Sequence, residues 1–147
     1  MFALTERAKS MTYNGFVAGY AYPVSEAAVN IRKCLSQDDP ELAVRHFIQL
    51  SDVFTASHGL GRAELAEDIP ATTGVAHWDA ALAACAEHYL EQEKIYVPLW
   101  TQESDKFLTE PWIFGSGRYD IPVPENEVPP AFLRHGVLIY RDTLISY

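Results

Sequence analysis

Only two cysteines, Cys34 and Cys85, occur in 147 residues, too few for a disulfide framework to hold a chain of this size. Both stand among apolar neighbours in helical stretches, where a reduced thiol behaves as a small buried hydrophobe, as suits a reducing cytoplasm. No apolar run reaches the ~20 residues of a membrane span. Glu6, Arg7 and Lys9 interrupt the amino end before a signal-peptide core can form, so the expected location is cytoplasmic. Cations are scarce too: 11 Lys and Arg face 20 acidic residues, for a net charge of −9. Phosphate contacts need clustered cations and draw their affinity from counterion release, so nucleic acid and anionic membranes are disfavoured partners. The same balance suits a protein that covers a basic partner surface.

Catalytic motifs are missing as well. No CxxC or HExxH occurs, and the best local set of metal ligands is Cys85 with His88 at i, i+3, joined by His77. Neither thiol sits at a Gly-rich elbow or helix N-terminus that would lower its pKa, and a meeting of Cys34 with His46 is what any helical hairpin allows. Gly115-Ser116-Gly117-Arg118 lacks the lysine, the spacing and the preceding strand of a phosphate loop, and reads as a turn. There are no internal repeats or low-complexity tracts.

What the chain does contain is helical signal and then a change of character. Residues 1–24 read as an arm or short hairpin, with a turn signal at Asn14-Gly15 and two glycines that oppose a helix. Ser25 then provides an N-cap, and Ala28, Ile31 and Leu35 recur at helical spacing. Asp39 caps and Pro40 opens a second helix to about Ala56, with Ala43, Phe47, Leu50 and Phe54 on one face. The short link makes these two an αα-hairpin. Residues 62–75 read as a loop with a turn of helix. The third helix runs from about Val75 to Lys94, with Trp78, Ala81, Leu82, Cys85 and Tyr89 as its apolar stripe and Asp79, Glu87 and Glu91 expected to turn outward.

Six of the nine prolines fall between Pro98 and Pro130, which excludes long regular elements there. A short helix over Glu103–Leu108, one helical turn over Ala131–His135 stopped by Gly136, and a brief buried extended stretch over Val137–Tyr140 are expected. Trp100, Phe107, Trp112, Phe114, Tyr119 and Phe132 obey no period. Each ring would bury about 150–250 Å², so these side chains either complete the core or serve a partner. The expected fold is mainly α with little β: a three-helix core, made of the hairpin and the Trp-bearing helix, wrapped by the irregular Pro- and aromatic-rich C-terminal segment. Residues 25–147 form one helical domain on this reading.

Three stretches carry a resemblance: Trp78-Asp-Ala-Ala-Leu-Ala-Ala-Cys-Ala-Glu-His, Pro98-Leu-Trp-Thr-Gln-Glu-Ser-Asp-Lys-Phe-Leu-Thr-Glu-Pro-Trp, and Pro129-Pro-Ala-Phe-Leu-Arg-His-Gly-Val-Leu-Ile. Together with the hairpin, over roughly residues 25–146, they resemble small, mostly helical bacterial proteins encoded beside nucleotidyltransferase-like toxins and regarded as their antitoxins. Leu133 and His135 stand where that family commonly has basic residues, and Ile113 separates Trp112 from Phe114, leaving Arg134 as the cation of the closing motif. The resemblance implies a non-catalytic partner, without cofactor or metal, that neutralises such a toxin by direct binding. Its expected patch is Trp100, Trp112, Phe114, Phe132 and Arg134, with Glu103, Asp105 and Glu110 meeting basic residues of the toxin. Two readings from other classes stand beside it. One is a small Cys/His-dependent metal-binding hydrolase using Cys85, His88 and His77. The other is a self-associating structural protein whose Tyr-rich arm pairs with a second copy, giving a homo-oligomer.

Overall fold

The hairpin expected near the start forms because its link is encoded by side chains that suit a tight reversal. In a computed structural model, which describes residues 22–115, 117 and 121–145, α1 spans Val24–Ser36 and α2 spans Pro40–Ala56. Asp38 takes the left-handed conformation (φ 57°), Asp39 accepts the backbone N–H of Leu42 at 3.2 Å, and Pro40 occupies the first turn, where no N–H is needed. Tyr22, buried between the two helices, accepts from Asn30 Nδ2 at 3.0 Å and bonds His46 Nδ1 at 2.9 Å. Tyr22 and Val24 therefore belong to the helical body, and α1 begins at Val24 with Pro23 as its N-cap rather than at a Ser25 cap. Residues 1–21 lie outside the described residues, and with them the Asn14-Gly15 turn and the arm invoked for self-association; Tyr119 lies outside them too.

After α2, a short helix α3 (Leu60–Leu65) leads into a loop, and α4 (Ala76–Gln92) then runs through the middle of the molecule. Every residue from Ala80 to Glu87 is buried. A helix that is covered all round is a core element rather than a surface one. Its Ala80, Ala81, Ala83, Ala84, Cys85 and Ala86 are small enough for neighbours to approach from several sides. One side meets α2, where Phe54 stacks on Tyr89 at 5.2 Å and Phe47 meets Trp78 edge-on at 6.3 Å. The carboxyl-terminal third of the chain covers the other sides.

That covering is done by short pieces. Single 3-10 turns occupy Leu99–Gln102 and Ser104–Lys106 in place of the helix expected over Glu103–Leu108. A two-residue strand β1 (Trp112–Ile113) precedes helix α5 (Pro130–His135), Gly136, and strand β2 (Val137–Leu138). The strands pair in parallel, Trp112 with Val137 and Ile113 with Leu138. Leu108 N donates to His135 O at 3.0 Å, Trp112 N to Gly136 O at 2.9 Å and Phe114 N to Leu138 O at 3.0 Å. A stretch that showed no period in sequence is therefore held by a non-local ladder. The molecule is mainly helical, with this two-stranded sheet as the β structure among the described residues. No described helix is long and apolar enough to cross a membrane.

Gly136 is the pivot of the ladder. It ends α5 in the left-handed region (φ 85°), and a Cβ there would meet Leu108 Cβ at 3.0 Å and Leu108 O at 3.3 Å. Gly136→Ala is expected to destabilise the protein by at least about 1–2 kcal/mol from the backbone conformation alone, read as a lower urea midpoint. An unchanged midpoint would show that the turn relaxes freely.

Candidate functional site

The closing motif, Arg134-His135-Gly136, is positioned by α5 against α4, and the Arg134 and His135 side chains converge on a carboxylate. Glu87, in the middle of α4, is only 4 % exposed. Its Oε1 accepts from His135 Nε2 at 2.6 Å and from Gln102 Nε2 at 2.8 Å. Its Oε2 accepts from Arg134, through Nε at 3.1 Å and also through Nη2. Arg134 Nη2 continues to Glu91 Oε2 at 2.6 Å. The sequence placed Glu87 outward; it is instead the acceptor on which the covering segment closes. The reason is that α4 is covered on a second side, so a residue opposite the Trp78–Tyr89 stripe is no longer in solvent.

His135 is wholly buried, stacked on Phe107 with ring centroids 4.1 Å apart. Its Nδ1 faces Lys106 O at 2.7 Å while Nε2 faces the carboxylate. Burial acts to raise the Glu87 pKa, but the hydrogen bonds from Arg134, His135 and Gln102 outweigh it and hold the carboxyl below its ordinary value. The cluster binds three parts of the chain together: α4, the Thr101–Lys106 turns and α5.

The eight residues expected to form a partner patch divide between inside and outside. Trp100 (3 % exposed) donates its indole N–H to Ala66 O at 2.9 Å, and Phe132 (0 %) packs edge-on against Phe47 at 6.3 Å. Both are core, which corrects the expectation that they anchor a partner: neither ring reaches the surface without opening the core. Arg134 is half-exposed, but its guanidinium is committed to Glu87 and Glu91. Trp112 and Phe114 are half-buried at the edge of the core, 5.6 Å apart and both edge-on to Trp78. The exposed imidazole of His77 lies flat on Trp112 at 4.9 Å and 11°. Glu103, Asp105 and Glu110 are exposed, and Lys106 Nζ lies 3.5 Å from Glu103 and 3.1 Å from Asp105. The surface remnant of the patch is therefore the His77–Trp112 pair, with Phe114 behind it and carboxylates on the preceding stretch.

The Cys85, His88 and His77 set does not assemble into a reactive centre. Cys85 is fully buried, and burial pushes its thiol above the ordinary range. His77 is occupied with Trp112, and among the described residues no group of three His, Cys, Asp or Glu side chains could hold a metal ion. Asp79 is spent locally, accepting from Thr72 Oγ1 at 2.5 Å, Thr73 N at 2.7 Å and Thr73 Oγ1 at 2.7 Å, which ties the preceding loop to the start of α4.

Sequence reasoning missed a second polar centre. Arg62, on α3, is buried; it donates to Ser57 O at 2.7 Å, Tyr89 O at 2.7 Å and Gln92 Oε1 at 3.0 Å, and its guanidinium lies 5.3 Å from the centre of the Tyr89 ring. Its signal was slight: one Arg in a stretch read as loop. No protein-family model matches the chain, and no curated protein or solved structure matches it either.

The Glu87 cluster makes a prediction of defined sign. Because folding lowers this carboxyl pKa, its stabilisation is complete above the unfolded value of about 4.3 and is lost as pH falls through the lowered folded value. Glu87→Gln is expected to cost about 3–5 kcal/mol at neutral pH, the magnitude of removing one partner of a buried pair. That deficit should shrink as acid protonates the wild-type carboxyl. Urea midpoints for both proteins from pH 7 to below pH 4 check this, and a pH-independent difference would contradict it.

Proposed function

We infer that the protein is a non-catalytic binding partner of antitoxin type, which neutralises a nucleotidyltransferase-like toxin by covering its basic, substrate-binding surface. The observation that carries this reading is the His77–Trp112 stack: a tryptophan at the rim of the core, half-exposed, with an imidazole laid flat on it. Tryptophan is the residue that most often dominates interface energetics, because it buries a large rigid area at small entropic cost. The acidic character of the surroundings favours one kind of occupant. Glu103, Asp105 and Glu110 are exposed on the stretch that leads into Trp112, and the chain as a whole carries a net charge of −9. A surface built to bind nucleic acid is basic, so such a partner would be steered electrostatically to this protein. The resemblance in the Trp78, Pro98 and Pro129 stretches points to the same class of partner.

The refined patch is His77, Trp112 and Phe114 with the three carboxylates; Trp100 and Phe132 belong to the core, and Arg134 is committed to Glu87 and Glu91. Co-expression with the product of the adjacent reading frame tests the reading. A stable complex with a nucleotidyltransferase-like protein is expected, and its absence would end the proposal. Trp112→Ala should weaken that complex by about 2 kcal/mol or more, while far-UV circular dichroism of the free variant stays helical. Replacing Glu103, Asp105 and Glu110 together by their amides should slow association and flatten its salt dependence, leaving dissociation nearly unchanged.

A further inference from the structure

A cleft of about 380 Å³ opens between Thr55 of α2, the last turns of α4 and the carboxyl-terminal stretch. That volume is in the range of small-molecule sites. Its apolar wall is Pro129, Leu144 and Ile145, and its polar wall is His88, Gln92 and Arg141. Among the described residues no carboxylate lines it, although the chain is strongly acidic. Arg141 is exposed, and among the described residues it has no carboxylate within ion-pair distance; its guanidinium makes a long 3.4 Å contact to Val128 O.

The orientation of Gln92 is set from behind. Arg62, a pure donor, holds Gln92 Oε1 at 3.0 Å, so the amide nitrogen must be the end turned away from Arg62, where its contact among the described residues is a long 3.4 Å approach to His88 Nε2. The cleft thus offers a guanidinium and an amide N–H₂ with unspent donors, beside an aliphatic wall. The phenol of Tyr89 is already engaged with Ser51 Oγ at 2.5 Å and does not compete.

We propose that this cleft binds a small organic oxyanion, a carboxylate with a short apolar body: the anion on Arg141 and the Gln92 amide, the body against Pro129, Leu144 and Ile145. The site stands apart from the partner face. His77 and His88 are 11 residues apart on one helix, about 16 Å along its axis, so either reading can fail without the other. His88 adds a reporter. Burial, and then the charges of Arg141 and Arg62, lower its pKa to about 4. Tyr89 and Phe132 pack on its ring, and Gln92 is its hydrogen-bond neighbour. An anion placed between it and Arg141 offsets the two cations and raises that value.

The test titrates the whole protein with hexanoate, hexyl phosphate and hexylammonium, tracking amide shifts and the His88 ring by NMR. Saturable hexanoate binding is expected, with perturbations around Gln92 and Arg141, an upward move of the His88 titration and no response to hexylammonium. Tighter binding of hexyl phosphate than of hexanoate would overturn the carboxylate assignment. Arg141→Gln, at an exposed position, should weaken hexanoate about tenfold or more, the scale of one charge-assisted contact. Gln92→Glu, which keeps a partner for Arg62 but turns a negative group into the cleft, should abolish it. Wild-type affinity in either variant, equal binding of hexylammonium, or no saturation would overturn the proposal.

Discussion

A carboxylate in the middle of the central helix, taken out of water by the segment that covers it, is the constraint on which the rest depends. Glu87 gives up its hydration only because Arg134, His135 and Gln102 replace it, donor for donor. An ionised group buried without such partners would cost several kcal/mol, so the covering segment cannot dock in any register that leaves one of them behind. Aliphatic packing alone tolerates slippage; a charge with directional donors does not. The cluster therefore converts a Pro-rich chain with little regular structure into a fixed cover. The short parallel ladder of Trp112–Ile113 on Val137–Leu138, with Gly136 at its start, results from that docking.

The same event distributes the aromatic side chains. Once α5 is seated, Phe132 falls into the core beside Phe47, while Trp112 and Phe114 close the rim around Trp78. A ring at a rim has an inner face spent on packing and an outer face still to be covered; His77 takes part of the outer face of Trp112. The Pro98 and Pro129 stretches are largely those that build this cover. Most of their large residues (Trp100, Phe132, His135) hold the chain to itself. What remains at the surface is fewer rings than the full set of aromatics suggested, with Glu103, Asp105 and Glu110 exposed nearby in sequence. The cleft at the other end of α4 has a different origin: Arg62 reaches through from α3, fixes Gln92, and leaves the carboxyl-terminal stretch to supply Arg141 and the aliphatic wall.

The hairpin was legible because its determinants are local. Asp39, Pro40 and a strong one-sided pattern over Ala43, Phe47, Leu50 and Phe54 set α2 with no reference to the remainder of the chain, and the mainly α class with little β comes from that and from α4. The Trp78–Tyr89 stripe was equally plain, but the other faces of α4 were not. Alanines there read as helix propensity, whereas in the folded protein they are the spacing that lets two layers approach the same helix. The misreading of Glu87 as a solvent residue has this single cause.

The residues alone determined the helical hairpin and the Trp78-bearing helix, where the hairpin turns, that prolines forbid long elements after Tyr96, and that the net charge is negative. Each is a property of neighbours in sequence. Only the tertiary structure decided which rings are inside, which carboxylate is buried, that Trp112 pairs with Val137, and that Gln92 presents its amide nitrogen beside Arg141. Those outcomes depend on which groups from distant parts of the chain compete for the same acceptor or the same volume, a competition that begins only when the chain closes on itself.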